Sequence, residues 1–207
     1  MTTIKKRYKK NKKNLVSTLK KYYTIVKFDT LDNNSKYKDS QITYGEINYE
    51  GMDFLYEKIN NNNKNINCFI DIGSGRGKLC FYMTSKIKIK HVLGIELVEE
   101  RYKDALDIKL KIGKNKQIEK LEMINDDALN VNFNKYNHFN SCIYFSNLCW
   151  NESFTTKIFQ KIYDEFPKGT IICCTTGTNN EKFTFLEKIQ MPMSWSQTSS
   201  LNIYKLQ

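Results

Sequence analysis

The sequence has no apolar run approaching the length of a bilayer-spanning helix, and its N-terminus is charged rather than apolar. The first absence argues against a membrane-crossing helix. The second argues against a secretory signal, so an intracellular protein is expected. Only two histidines occur, and no Cys-x-x-Cys pair. No set of residues therefore has zinc-site spacing, and no metal is expected. Of the six cysteines, Cys68, Cys80, Cys142, Cys173 and Cys174 lie in or beside apolar runs that read as core. A disulfide framework is not expected either. The last absence is of negative charge at one end: residues 1–28 hold ten Lys/Arg and no Asp/Glu.

Nearly all of the formal net charge of +11 is therefore concentrated in that leader. Seven of its cations fall in KKRYKKNKK, as Lys5, Lys6, Arg7, Lys9, Lys10, Lys12 and Lys13. Set against an almost neutral body, they read as an arm for DNA, RNA, a nucleosome or another acidic partner. The plain alternative is a solvated tail or a nuclear-import signal. Attraction to phosphate is generic, so the arm carries no sequence specificity. The length of 207 residues fits one domain with a short extension. Heavy use of Asn, Lys and Ile, including NNNNKN at Asn60–Asn65, fits an AT-rich genome such as that of a giant virus or a protist.

Residues 14–28 place Leu15, Leu19, Tyr22, Tyr23 and Val26 among basic residues at helix-compatible spacing, and residues 29–39 read as a polar linker. Met52, Leu55, Tyr56 and Ile59 predict an amphipathic helix over Tyr49–Ile59. A β/α alternation follows. Strands are expected at Asn67–Ile72, His91–Ile95, Leu121–Asn125, Ser141–Phe145 and Thr170–Thr175. Helices are expected at Arg76–Lys88, Glu99–Ile112 and Thr155–Phe166, and Trp195–Leu206 has strand character suited to a closing hairpin. Such alternation predicts a parallel sheet covered on both faces. Right-handed crossovers bring the loops after each strand to one sheet edge, where ligands bind.

The motifs fall on that edge. In CFIDIGSGRGKLCFYM a strand ends in Asp71, a turn carries Gly73, Gly75 and Gly77, and a helix begins. Glycine permits the tight bend and lets a ligand approach the backbone. The dinucleotide fingerprint is G-x-G-x-x-G. Here the acid precedes the first glycine, as D-x-G-x-G-x-G, which matches the first motif of class I methyltransferases. Glu96 ends the next strand, where a carboxylate can accept both ribose hydroxyls. In NDDAL, Asp127 beside Ala128 is placed to meet an adenine amino group, with Asp126 as a competing candidate and a helix cap as the plain alternative. In FSNLCW, Asn147 offers amide donors and an acceptor to a substrate or cofactor, and Trp150 a channel wall. A turn asparagine and a core tryptophan are the alternatives. TYGEI, Thr43–Ile47, taken alone reads as a turn and a helix start.

Together, TYGEI, FIDIGSGRGK, LGIE and FSNLCW resemble the disruptor-of-telomeric-silencing family, the histone lysine methyltransferases without a SET domain. The resemblance runs from about Tyr44 to Trp150 and continues weakly into Ser194–Leu206. It implies a Rossmann-like α/β fold of the class I methyltransferases. That fold has a mostly parallel seven-stranded sheet, helices on both faces and a small helical N-terminal extension. Residues 1–41 would form the extension and 42–207 the catalytic domain. S-adenosylmethionine is the implied cofactor. Tyr44, Gly45, Glu46 and Ile47 would close over its methionine end. Phe69, Asp71, Gly73, Ser74, Gly75, Gly77 and Lys78 would cradle it, Glu96 would bind ribose, and Asp127 with Ala128 adenine. Asn147, Tyr44 and Trp150 would stand at the lysine channel, with Trp195 or Tyr204 as further walls. The family pairs two asparagines in the loop after the fourth strand; here the first is Ser146, and the following aromatics become Leu148 and Trp150. The implied function is histone lysine methylation on nucleosomes in the nucleus. The alternatives are a different protein lysine, RNA, or a degenerate domain that only binds nucleic acid.

Overall fold

The computed structural model describes residues 15–24, 43 and 45–207. The basic arm, Tyr44 and the expected boundary at 41/42 lie outside these residues. Helix α1 occupies residues 15–24 and buries Leu15 and Leu19. Helix α2, Tyr49–Asn62, starts where the Asn48 side chain accepts the Gly51 N–H, and it buries Met52, Leu55 and Ile59 along one stripe. It runs into the asparagine-rich segment that the sequence suggests is loop.

The repeating part begins with β1, Cys68–Ile72, and the short α3, Lys78–Thr84. Next come β2, His91–Glu96, α4, Glu99–Ile112, and β3, Leu121–Asn125. Then follow β4, Ser141–Phe145, α5, Glu152–Glu165, and β5, Ile171–Cys174. The chain closes with β6, Phe183–Met193, and β7, Ser196–Leu206. Helix α3 is shorter at both ends than the expected Arg76–Lys88, because Gly77 caps it in a left-handed conformation and Ser85 closes its last turn. Helix α4 has the expected bounds. Its first turn carries Glu99 and Glu100 and its last turn Lys109 and Lys111, which suits the helix dipole. Helix α5 starts earlier than expected because Asn151, not a later residue, accepts the Phe154 N–H.

The seven strands form one sheet in the order β3-β2-β1-β4-β5-β7-β6. The four pairings among β1 to β5 are parallel. The pairings of β7 with β5 and β6 are antiparallel, so the sheet is mixed, and the expectation of a mostly parallel sheet holds only for its first five strands. Alternate residues of β1 serve opposite faces. Phe69 joins Leu19, Met52, Phe81 and Ile108 beneath α1–α4, whereas Ile70 joins Phe145, Ile158 and Phe159 beneath α5. Helices therefore cover both faces. Among the described residues no helix is long and apolar enough to cross a membrane.

Candidate active-site cleft

Strand order reverses between β1 and β4, and the C-terminal ends of the central strands open there onto a cleft of about 400 Å³. Its first wall is mostly backbone. Gly73, Gly75 and Gly77 have φ of 79°, 55° and 74°, a region costing L side chains about 1–2 kcal/mol per residue. The Gly73 and Ser74 N–H groups donate to the Ile95 carbonyl at 2.8 and 2.9 Å, pinning the turn to β2. The Gly75 N–H donates to Glu96 Oε2 at 2.6 Å, and the Val98 N–H to Oε1 at 2.8 Å. Asn125 Nδ2 donates to the Glu96 carbonyl at 2.8 Å, so β3 holds the end of β2.

Two acids are sunk into this wall. Burial pushes the Glu96 carboxyl above its ordinary range, opposed by the Val98 N–H, the Arg101 charge, the Gly75 N–H and Arg76. Burial likewise pushes Asp71 up to about 7; the Cys80 thiol, which donates to it at 3.5 Å, opposes the rise, and the Glu96 charge adds to it. Ser74 Oγ is buried in the same wall with no hydrogen-bond partner among the described residues. At the far end, Asp126 and Asp127 both line the cleft beside buried Ala128. Asp127 Oδ1 accepts the Leu129 N–H at 2.9 Å, and Asp126 Oδ1 the Asp127 N–H at 2.7 Å.

The second wall is built of side chains from distant segments. Trp150 stacks on Phe145 with centroids 5.4 Å apart and meets Phe154 edge-on at 5.0 Å. Glu46 accepts from Lys78 Nζ at 2.8 Å, its carbonyl accepts the Ser194 N–H at 2.7 Å, and Ile47 bridges to Met193. The segment around Gly45 is thereby stitched to the β6–β7 turn, where the Trp195 ring lies against Gly45. Leu148 and Trp195 stand half-exposed at the rim.

Gly45, Glu46, Ile47, Asp71, Gly73, Ser74, Gly75, Lys78, Glu96, Asp127, Ala128 and Trp150 all line the cleft, as does Trp195. Tyr44 lies outside the described residues, and Phe69, Gly77, Asn147 and Tyr204 do not line the cleft. Phe69 is a core residue, because its place in β1 turns it under α3. Gly77 caps α3 behind the turn. Asn147 is buried and committed: its Nδ2 donates to the Thr176 carbonyl at 3.0 Å, and its Oδ1 accepts the Thr176 N–H at 2.8 Å and the Thr175 hydroxyl at 3.1 Å. It clamps the loop after β4 to the end of β5. Tyr204 faces the α5 side, where its hydroxyl accepts the Thr178 N–H at 3.0 Å. Sequence reasoning missed Met52, Leu79, Arg101, Tyr144 and Phe154 in the lining. Tyr144 stands in register beside Asp71 on the neighbouring strand, a pairing that only the fold reveals.

The profile of the family described as histone methylation protein DOT1 matches residues 22–204. The chain is 29% identical over 163 residues to the histone-lysine N-methyltransferase, H3 lysine-79 specific, of Caenorhabditis elegans. That match covers 74% of this chain but 17% of the relative, so the chain spans under a fifth of its length. Among solved structures, a putative methylase from Haemophilus influenzae superposes with a TM-score of 0.55 at 15% identity, covering 75% of this chain and 87% of that one. A methyltransferase from Geobacter sulfurreducens does so with a TM-score of 0.58 at 10% identity, covering 78% and 80%. A point mutant of MtNAS, solved in complex with S-adenosylmethionine, gives 0.57 at 10% identity, covering 98% and 75%. These likenesses establish a methyltransferase-like α/β fold.

Proposed function

We propose, from the premise that the chain belongs to the histone methylation protein DOT1 family, that its cleft holds S-adenosylmethionine and that it methylates a histone lysine. The observation that carries this reading is the glycine turn after Asp71, held at Gly75 N–H by Glu96 at 2.6 Å, with both acids lining one cleft. The residues fit a nucleoside amino acid. The cleft volume of about 400 Å³ suits a small-molecule site, and Ser74 Oγ awaits a partner.

When bound, S-adenosylmethionine supplies a methyl group already activated on a sulfonium. Each Glu96 oxygen takes one backbone N–H and keeps acceptor capacity for a ribose hydroxyl. Asp71 offers its charge to the amino-acid end. Asp127 or Asp126, with Ala128, meets the adenine, and residues 44–47 close the methionine end. A lysine acceptor has to arrive neutral, and at its ordinary pKa only about one in a thousand is neutral at pH 7. Leu148, Trp150, Phe154 and Trp195 make the mouth apolar, and desolvation there lowers that pKa. Asn147 acts one step back, by fixing the loop that presents Leu148 and Trp150. Residues 5–13 serve as the arm that grips nucleosomal phosphate, which places the protein at chromatin.

Calorimetry with S-adenosylmethionine followed by radiolabel transfer to nucleosomes, free histones, RNA and lysate protein tests the reading. Binding, with label found on a histone lysine by mass spectrometry, supports it. Label on RNA or on another protein replaces the substrate, and no binding overturns the whole. Removing residues 1–13 is expected to weaken nucleosome labelling and flatten its salt dependence.

A further inference from the structure

Glu46 belongs to both walls of the cleft. Its backbone is part of the second wall: its N–H donates to Ser194 Oγ at 3.0 Å, and its carbonyl accepts the Ser194 N–H at 2.7 Å. Its side chain crosses to the first wall, where it accepts from Lys78 Nζ at 2.8 Å. Lys78 opens α3 directly after the glycine turn. Both residues line the cleft, and their side chains are only 16% and 21% exposed, so water screens the pair less than it would a surface one. The cation is itself held. Lys78 Nζ lies 5.2 Å from the centre of the Tyr49 ring and 5.8 Å from that of Tyr23, within reach of cation–π attraction. The Tyr23 hydroxyl donates to the Arg76 carbonyl at 2.6 Å, so α1 grips the glycine turn together with the lysine beside it. A lysine side chain in water samples many rotamers. Two rings and a carboxylate restrict this one.

We propose that Lys78 is a positioning residue and Glu46 its strap: the pair draws Gly45–Ile47, and with it the β6–β7 turn that carries Trp195, against the glycine turn, and so sets the spacing of the two walls. Trp195 follows the strap because its ring lies against Gly45 and its neighbour Ser194 is bound to Glu46. The wall spacing follows from these contacts alone; its consequence for ligand affinity rests on the cofactor reading above.

The test uses the full chain with Lys78→Met, Glu46→Gln, the two combined, and Lys78→Arg. The chain has two tryptophans, Trp150 and Trp195, so fluorotryptophan labelling gives two fluorine resonances, assigned with Trp195→Phe. The change of each resonance between light and heavy water reports its exposure. Without ligand, Lys78→Met and Glu46→Gln are each expected to raise that change about 1.5-fold at Trp195 and to leave it alone at Trp150. The double variant should go no further, and Lys78→Arg, which keeps the charge, should stay near wild type. S-adenosylhomocysteine affinity, measured by calorimetry, should fall about fivefold in each single variant and by no more than about fivefold in the double. A Trp195 resonance that neither single variant moves overturns the proposal and leaves the pair a local contact. Affinity losses that multiply in the double variant overturn it too, since the two residues would then meet the ligand separately. A moved Trp195 resonance in a protein whose wild type takes up no S-adenosylhomocysteine upholds the strap and brings down the cofactor reading instead.

Discussion

The two walls of the cleft hold their groups by different means. The wall made by β1, β2 and β3 relies on backbone: three left-handed glycines, N–H groups donated to Glu96, and a turn pinned to β2. The wall made by β4, residues 43 and 45–47 and the β6–β7 turn relies on side chains from segments far apart in the chain. A backbone-built wall tolerates few substitutions, because its parts share one local geometry. A side-chain-built wall can change its guest by exchanging single residues. Glu96→Ala breaks the first wall most severely. It orphans the Gly75 and Val98 N–H groups, so a stability loss of about 3 kcal/mol is expected. Cofactor affinity should fall at least about a hundredfold. Urea unfolding and calorimetry check the two effects, and an affinity within threefold of wild type would sink the assignment.

Trp150→Ala sharpens the contrast from the other side. It removes the ring stacked on Phe145 and edge-on to Phe154, and with it the dry mouth. The expected loss is about thirtyfold in kcat/KM for the acceptor, with S-adenosylhomocysteine affinity changed by less than about threefold. Comparable losses in both would mean that the two walls are not separable.

That contrast also explains what could be read in advance. The backbone wall lies within one stretch of sequence, so Asp71, its glycines and Glu96 were legible as a motif, and the apolar runs of β1, β2 and β4 gave their positions. Helix α4 was legible from its acidic start, basic end and Gly113. The side-chain wall was only partly legible. Strand β6 escaped notice because Thr184–Leu186 are all exposed and a register shift interrupts its alternation. Asn147 looks like a loop residue in sequence but is a buried clamp, which depends on Thr175 and Thr176 reaching it from β5. Arg101 is one charge among many on a polar helix until the fold turns it inward.

Asp71 extends the comparison to pH. Its folded value of about 7 lies above the ordinary 3.8. The folded state therefore binds the proton more tightly, and this group's contribution is fully present below about pH 4 and is lost as pH rises through about 7. Asp71→Asn should flatten the fall in stability between pH 5 and 7.5, read as the urea midpoint. It should also weaken cofactor binding above pH 7, where the wild-type acid is charged. An equally steep fall in the variant would show that Asp71 is already ionised in this range.

The smallest effect is expected where the two walls meet. A Cβ at Gly45 would lie far inside van der Waals contact with the six-membered ring of Trp195. That ring is half-exposed at the rim, so in Gly45→Ala it can swing outward rather than unfold the domain. Stability should change by less than about 1 kcal/mol. Acceptor KM should rise about fivefold through the widened mouth, with kcat nearly constant, since a rim contact serves ground state and transition state alike. Trp195→Ala alone should raise KM similarly, and the double variant should add little, because both changes remove the same contact. If the losses instead multiply, Gly45 and Trp195 act on the acceptor separately and the rim is not a single hinge between the walls.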